Sequence, residues 1–219
     1  MADNATADDA TAGNATIFVV DDDADVRGSL QALLEAEGFA AETFESANAF
    51  LQSDALTRQG CLIADIRMPD MDGLELQEEL VRRKAGLPVI VVTGHGDVPL
   101  AVRAMKAGAI DFLEKPYDET VLLNAIRRAL SEAREASERT AATHEAAERL
   151  LQLTERERQV LELLAAGRPN KVIAYELDIS PRTVEIHRAR VMEKMKAKSL
   201  AELVRMVVAV DEGNGGTGH

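Results

Sequence analysis

The sequence of 219 residues has one cysteine, no tryptophan and no long hydrophobic run. Cys61 alone can form neither an internal disulfide nor a cysteine-rich zinc site, which favours the reducing cytoplasm as the compartment. No apolar stretch approaches the roughly 18 residues that a transmembrane helix needs, so we expect no membrane-spanning segment. The acidic and polar N-terminus also lacks the basic and apolar regions of a secretory signal.

Positive charge is scarce as well, and it is unevenly distributed. Asp and Glu number 38 against 25 Lys and Arg, which gives a formal net charge of −13. Residues 1–150 carry 28 acidic and 14 basic side chains, whereas residues 151–210 carry 8 acidic and 11 basic ones. An acidic part followed by a basic part predicts two domains with different tasks, of which the second is suited to a polyanion.

Alternating patterns fill the first part of the chain. Hydrophobic residues make up 46% of the sequence, which is enough for a packed core. Between residues 16 and 130, short β-rich runs alternate five times with amphipathic segments of helical spacing. This alternation predicts an α/β domain with a five-stranded parallel sheet, doubly wound so that helices cover both faces.

Polar side chains follow the apolar runs at the predicted strand ends. They are Asp21, Asp22, Asp65, Thr93 and Lys115. Because the carboxyl ends of parallel strands meet at one edge of a sheet, we expect these side chains to converge. Neighbouring carboxylates repel one another and favour a hard cation such as Mg²⁺. With a lysine and a hydroxyl beside it, such a site can accept a phosphoryl group on an aspartate.

Each of these residues also has an ordinary structural interpretation. An aspartate at a strand end is usually a helix cap, which is the role that we expect for Asp23. The joint occurrence of the set in chain order favours the phosphoryl-accepting site. A Mg²⁺-dependent phosphohydrolase with an aspartyl nucleophile is an alternative, but it usually carries a second acid two residues after the nucleophile. Residue 67 is Arg.

The basic part from residue 151 onwards has only helical patterns. Thr154 and Glu157 predict a capping box at the start of an amphipathic helix. Ser180 and Pro181 open a later helix after a short connection, which predicts a helix-turn-helix. Residues 181–198 carry six Lys and Arg against two Glu, so this helix can neutralise phosphates and enter a major groove. A solvated basic face on a small helical bundle is the alternative.

The acidic part resembles the receiver domain of two-component response regulators. The resemblance covers residues 16–130 and rests on VVDDD at 19–23, DIRMPDMDG at 65–73, VVTGHGD at 91–97 and FLEKP at 112–116. It implies a flavodoxin-like fold in which a sensor histidine kinase phosphorylates Asp65. A DNA-binding protein with a degenerate receiver is another interpretation, against which the complete set of acids, threonine and lysine argues.

The same resemblance implies a role for the residues around Asp65. It implies that Mg²⁺ is held by the side chains of Asp22 and Asp65 and by the backbone carbonyl of Arg67, with Asp21 contributing to the metal site mainly through metal-bound water. Thr93 and Lys115 are implied to contact the phosphoryl group. Phe112 matches the switch aromatic that changes rotamer as the threonine moves. The face formed by the fourth helix (97–107) and the fifth strand (109–113) dimerises in related regulators.

The basic part resembles the LuxR-type helix-turn-helix. The resemblance covers residues 151–210, with LTERERQVL at 153–161 and NKVIAYELDISPRTVEIHRARVMEKM at 170–195. It implies an all-α four-helix domain, joined to the receiver by a helical linker at 131–150. Both parts together resemble the FixJ-like branch of the NarL/FixJ group of response regulators. That group implies a homodimer on double-stranded DNA, RNA polymerase as a further partner, and no enzymatic activity.

The resemblance also implies contacts with DNA. Residues expected at phosphates or bases are Lys171, Arg182, Thr183, His187, Arg188, Arg190 and Lys194. Glu185, Ile186 and Ala189 are expected on the side of the recognition helix that faces the groove, whereas Val184 and Val191 face the core. The last helix (199–209) is expected to form a dimer contact on DNA through Leu203 and Val207.

Overall fold

The computed structural model describes residues 15–94 and 98–215. The N-terminal segment without a signal sequence and the last three residues of the VVTGHGD motif lie outside the described residues. The chain divides between Ala136 and Ser137 into two compact units. Within the described residues, the structure has no helix with the length and apolarity to cross a lipid bilayer.

The described strands of the first unit form one parallel sheet. They are β1 (Thr16–Val20), β2 (Ala40–Phe44), β3 (Gly60–Asp65), β4 (Val89–Thr93) and β5 (Asp111–Glu114). Their order in the sheet is β2-β1-β3-β4-β5, and every neighbouring pair is parallel. This is the flavodoxin-like order, which places the ligand site beyond the carboxyl ends of β1 and β3.

Helices cover both faces of this sheet. They are α1 (Ala24–Ala36), α2 (Ala47–Gln52), α3 (Gly73–Arg82), α4 (Val98–Lys106) and α5 (Glu119–Leu151), with a 3-10 turn at Asp54–Thr57. Side chains alternate along each strand, so Ile17 packs with α1 and α5 while Phe18 packs with α2 and α3. The predicted doubly wound α/β fold is confirmed. Asp23 caps α1 as expected, because its carboxylate accepts from the Asp25 N–H at 2.8 Å.

The predicted linker at 131–150 lies inside the continuous helix α5. Its side chains are mostly exposed as far as Glu145, whereas Ala146 is 2% exposed. Leu150 packs against the apolar core of the second unit. The last turns of α5 therefore belong to the second unit, and the domain boundaries within this helix stay a prediction.

The second unit is built from helices in its described part. After the end of α5 come α6 (Glu155–Ala165), α7 (Asn170–Glu176), α8 (Pro181–Lys194) and α9 (Leu200–Gly215). The predicted capping box of Thr154 and Glu157 is present, and Ser180 caps α8 with Pro181 as its first residue. Asp178, with a φ of 53°, turns the chain between α7 and α8. The predicted helix-turn-helix is confirmed.

Candidate functional site

Three of the predicted strand-end side chains meet at one edge of the sheet. The Lys115 ammonium donates to Oδ2 of Asp21 at 2.7 Å and to Oδ1 of Asp65 at 2.9 Å. Asp21 directly follows β1, Asp65 ends β3 and Lys115 directly follows β5. The parallel topology therefore brings together residues that are 94 and 50 positions apart in the chain.

Backbone hydrogen bonds hold the loops that carry these side chains. The Lys115 N–H donates to the carbonyl of Thr93 at 2.8 Å, which fixes the start of the segment after β5 against β4. The guanidinium of Arg27 donates to the backbone carbonyl of Asp21 at 2.7 Å. The Asp21 carboxylate also accepts from the Asp23 N–H at 2.9 Å. These hydrogen bonds hold Asp21 and the segment that carries Lys115 in place.

Burial and a shared cation determine the electrostatics of the cluster. Asp21 is 2% exposed and Asp65 is 6% exposed. Burial raises the pKa of Asp65, and the negative charge of Asp21 adds to that rise, although Lys115 and the Arg67 N–H oppose it. Burial lowers the pKa of Lys115, but the hydrogen bonds to both acids and their negative charges together raise it overall. One ammonium is therefore shared by two buried carboxylates. The site can accept further positive charge.

The other predicted site residues lie around this cluster. Thr93 ends β4 and is fully buried, and Asp22 follows Asp21 with an exposed side chain. Phe112 lies half-buried on β5 against the core on the Phe18 side of the sheet. The Arg67 N–H donates to Oδ2 of Asp65 at 2.7 Å. The roles of these residues around a phosphoacceptor stay a prediction.

The predicted Mg²⁺ site is compatible with the donor set. Carboxylate and carbonyl oxygens are the ligands that Mg²⁺ takes, and a buried carboxylate with a raised pKa gains from a cation. In residues 15–94 and 98–215, however, no three His, Cys, Asp or Glu side chains lie close enough together to hold a metal ion. Magnesium binding stays a prediction.

Gly73 has a steric role that sequence reasoning missed. A Cβ atom on this first residue of α3 would lie 2.3 Å from the backbone oxygen of Asp65. The Gly73 N–H donates to the carbonyl of Ile66 at 3.1 Å. Only glycine allows α3 to begin this close to Asp65. The motif DIRMPDMDG contains the glycine, but spacing alone does not indicate a contact across eight residues.

The recognition helix α8 of the second unit has a buried side and an exposed side. Val184 and Val191 are fully buried, so their predicted position in the core is confirmed. A shallow depression that is open to solvent is lined by Arg182, Glu185, Ile186 and Ala189. Of the other basic residues predicted to contact DNA, Lys171 on α7 and Arg190 on α8 are exposed, and Arg188 is half-exposed. This surface has the mixture of charge and apolar contact that a major groove accepts.

Two predicted DNA contacts have other roles in this structure. Lys194 donates to Glu157 at 2.6 Å and to the carbonyl of Gln152 at 3.2 Å, so its ammonium is used inside the unit. Thr183 is half-buried, and its hydroxyl forms a 2.8 Å hydrogen bond with that of Ser180 at the start of α8. His187 is half-buried, and its buried Nδ1 has no hydrogen-bond partner among the residues that the structure describes.

The predicted dimer contact on the last helix needs a correction. Leu203 is fully buried in a core cluster with Val191 and Met195, so it packs inside its own unit. Val207 is partly buried against the same cluster. Val208 is an exposed large apolar side chain of α9, at 47% exposure. The continuous apolar character of this helix concealed which of its faces packs inward.

Family models match both parts of the chain. One described as "Response regulator receiver domain" matches residues 17–127, and one described as "Bacterial regulatory proteins, luxR family" matches residues 151–207. The chain is similar to the transcriptional regulatory protein FixJ of Rhizobium meliloti (strain 1021). The two are 54% identical over 194 residues, which are 89% of this chain and 95% of that protein.

Solved structures give the same result over nearly the whole chain. The response regulator StyR is 46% identical, with a TM-score of 0.76, and the match covers 89% of this chain and 98% of that one. Full-length FixJ from B. japonicum is 48% identical, with a TM-score of 0.55 and coverage of 90% and 98%. Both parts of the chain therefore have relatives that carry them in the same order.

Proposed function

The chain belongs to the response regulators of the NarL/FixJ group, and we propose that phosphorylation of Asp65 controls its binding to promoter DNA. A receiver domain implies a sensor histidine kinase as partner, and a LuxR-type domain implies DNA. The family consists of transcriptional regulators rather than enzymes, so the phosphohydrolase alternative is wrong. We propose that the protein acts in the cytoplasm, where the promoter is.

The contact that carries this proposal is the bridge from Lys115 to the two acids. An Asp65 carboxylate oxygen attacks the phosphorus of a phosphohistidine, a P–O bond forms, and the P–N bond to the imidazole breaks. Lys115 is close enough to Asp65 to neutralise the oxygens of the incoming group. The Thr93 hydroxyl, at the end of the neighbouring strand, donates to one of those oxygens. Asp21, Asp22, Asp65 and the Arg67 carbonyl are the residues that would hold Mg²⁺, which would supply further positive charge to the site.

Phosphorylation then changes the charge balance at this edge of the sheet. It adds about −1.5 to −2 charges and three strong acceptor oxygens. Lys115 and Thr93 are drawn towards the phosphoryl group, and Phe112 on β5 takes the space that the threonine leaves. The two nearby states need differ by only a few kcal/mol for phosphorylation to switch them.

The surface of α4 supports dimerisation as the next step. Its apolar side chains at Val98, Val102 and Met105 are 77%, 45% and 48% exposed. Their spacing of four and three residues makes them one stripe along the helix. We propose that this stripe and β5 form the contact between two phosphorylated receivers. Two helix-turn-helix units then bind half-sites about one helical turn apart, and activation of transcription requires contact with RNA polymerase.

The test is labelling of the full chain by a small phosphodonor in the presence of Mg²⁺. Wild-type protein is expected to incorporate one phosphoryl group, and Asp65→Asn to incorporate none, because an amide is not a nucleophile for this step. Asp54→Asn is the matched control, since Asp54 is exposed on the 3-10 turn. Equal labelling of Asp65→Asn and wild type would remove Asp65 as the acceptor.

A further inference from the structure

The exposed side of α8 carries two negative charges, those of Glu185 and Glu193, among its positive ones. Its depression is lined by residues that are three and four positions apart, namely Arg182, Glu185, Ile186 and Ala189. Glu185 also lies three residues from Arg188. In the part of the chain that the structure describes, neither arginine forms an ion pair with Glu185. Its carboxylate is therefore available to a ligand bound against this face.

A carboxylate at this place opposes binding to phosphates. The inference rests on the proposed function, in which α8 enters the major groove of DNA. Because like charges repel, Glu185 lowers the affinity for DNA of arbitrary sequence. It contributes favourably only where a base offers it a hydrogen-bond donor. The donors in the major groove are the N4 amino group of cytosine and the N6 amino group of adenine.

The two amino groups differ in what lies beside them. Adenine presents its N7 acceptor next to N6, which suits the amide of Asn or Gln and repels a carboxylate. Cytosine presents no acceptor beside its amino group on that edge. We propose that Glu185 accepts a hydrogen bond from the N4 amino group of a cytosine and determines specificity at that base pair.

The neighbouring apolar side chains extend this readout. Ile186 is 48% exposed, and Ala189 lies one turn further along the same face. Both can contact the 5-methyl group of a thymine, and neither can pair with a polar base edge. Glu185 therefore favours a C·G base pair and disfavours the other base pairs at its position. The side chains of Ile186 and Ala189 favour an adjacent thymine.

The test uses the full chain, phosphorylated by a small phosphodonor, and a library of duplexes with randomised sequence. Wild type is expected to select a C·G pair at one position of each half-site. Replacing that pair by T·A is expected to lower its affinity by about tenfold. Glu185→Gln is expected to lose this discrimination and to bind arbitrary duplexes more tightly than wild type. Glu193→Gln, with the same charge change on the same helix but outside the depression, is expected to keep the C·G preference.

The outcomes separate this inference from the proposed function. If Glu185→Gln keeps the wild-type preference at every position, or binds all duplexes more weakly, the specificity role is wrong. An A·T pair at the position that depends on Glu185 would overturn the assignment to cytosine. If phosphorylated wild type shows no salt-dependent binding to any duplex, the proposed function itself fails.

Discussion

Lys115 in the first unit and Lys194 in the second each donate to a buried carboxylate, but the acids respond in opposite directions. Lys115 is shared between two acids, and the pKa of Asp65 is raised because burial outweighs the lysine. Lys194 pairs with one acid, Glu157, which is 2% exposed and also accepts from the Thr154 N–H at 2.9 Å. The hydrogen bond from Lys194 is the largest cause that lowers the pKa of Glu157 to about 2.

The difference separates a cluster suited to the proposed phosphorylation from an ion pair that holds the fold. The carboxylate of Glu157 has a cation and a backbone donor of its own, and it fixes the start of α6 to the end of α8. Asp65 shares its cation with Asp21, so the cluster is short of positive charge. A shortage of this kind is typical of sites that bind a charged ligand. The two lysines therefore contribute to different properties of the protein.

The largest expected effect that distinguishes them is on phosphorylation. Lys115→Gln removes the cation that neutralises the incoming phosphoryl oxygens. We expect the labelling rate with a small phosphodonor to fall on the order of 10²-fold. Lys194→Gln is the matched control, and we expect it to be labelled at the wild-type rate. Wild-type labelling of Lys115→Gln would show that the bridge has no part in the reaction.

The sequence was sufficient to predict the position of Lys115 beside its acidic partners, but not the pairing of Lys194 with Glu157. Lys115 follows an apolar run at a strand end, and a parallel sheet brings such ends together whatever their separation in the chain. Lys194 lies in a row of basic residues on one helix. Its partner Glu157 is 37 residues away on another helix, and no spacing rule connects the two. The pairing depends on how α6 and α8 pack, and the burial of Leu203 depends on how α9 packs against them.

The next effect is on stability in the second unit. Glu157→Gln leaves Lys194 without its charged partner, and we expect the Tm of the full chain's second unit to fall by several degrees at neutral pH. Because the folded pKa of about 2 lies below the ordinary value of 4.5, the stabilisation is complete above the ordinary value. The stabilisation is lost as the pH falls towards the pKa that Glu157 has in the folded state.

Thermal unfolding followed by circular dichroism from neutral to acidic pH checks this prediction. The difference between Glu157→Gln and wild type should be largest at neutral pH and should disappear near the folded pKa. Glu162→Gln is the control, since Glu162 is exposed on the same helix. A loss of stability that is the same at every pH would assign the effect to packing rather than to charge.

The smallest effect has the opposite sign and belongs to the first unit. The raised pKa of Asp65 means that its ionised form is costly in the folded state. The resulting destabilisation is complete at a pH above the pKa that Asp65 has in the folded state. It is lost as the pH falls through that pKa towards the ordinary value of 3.8. Asp65→Asn removes the charge, so we expect the Tm to rise by a few degrees at neutral pH. We expect no rise in Tm at acidic pH, where the protonated Asp65 of the wild type and the Asn of the variant are both uncharged.

The same unfolding measurement, made with a chelator present, checks this rise. Asp54→Asn is the control, because Asp54 is exposed on the 3-10 turn before β3, whereas Asp65 ends that strand. A lower Tm for Asp65→Asn at neutral pH would mean that Lys115 already balances both carboxylates. The cluster would then be as well paired as Glu157 and Lys194, and the electrostatic distinction between the two lysines would disappear.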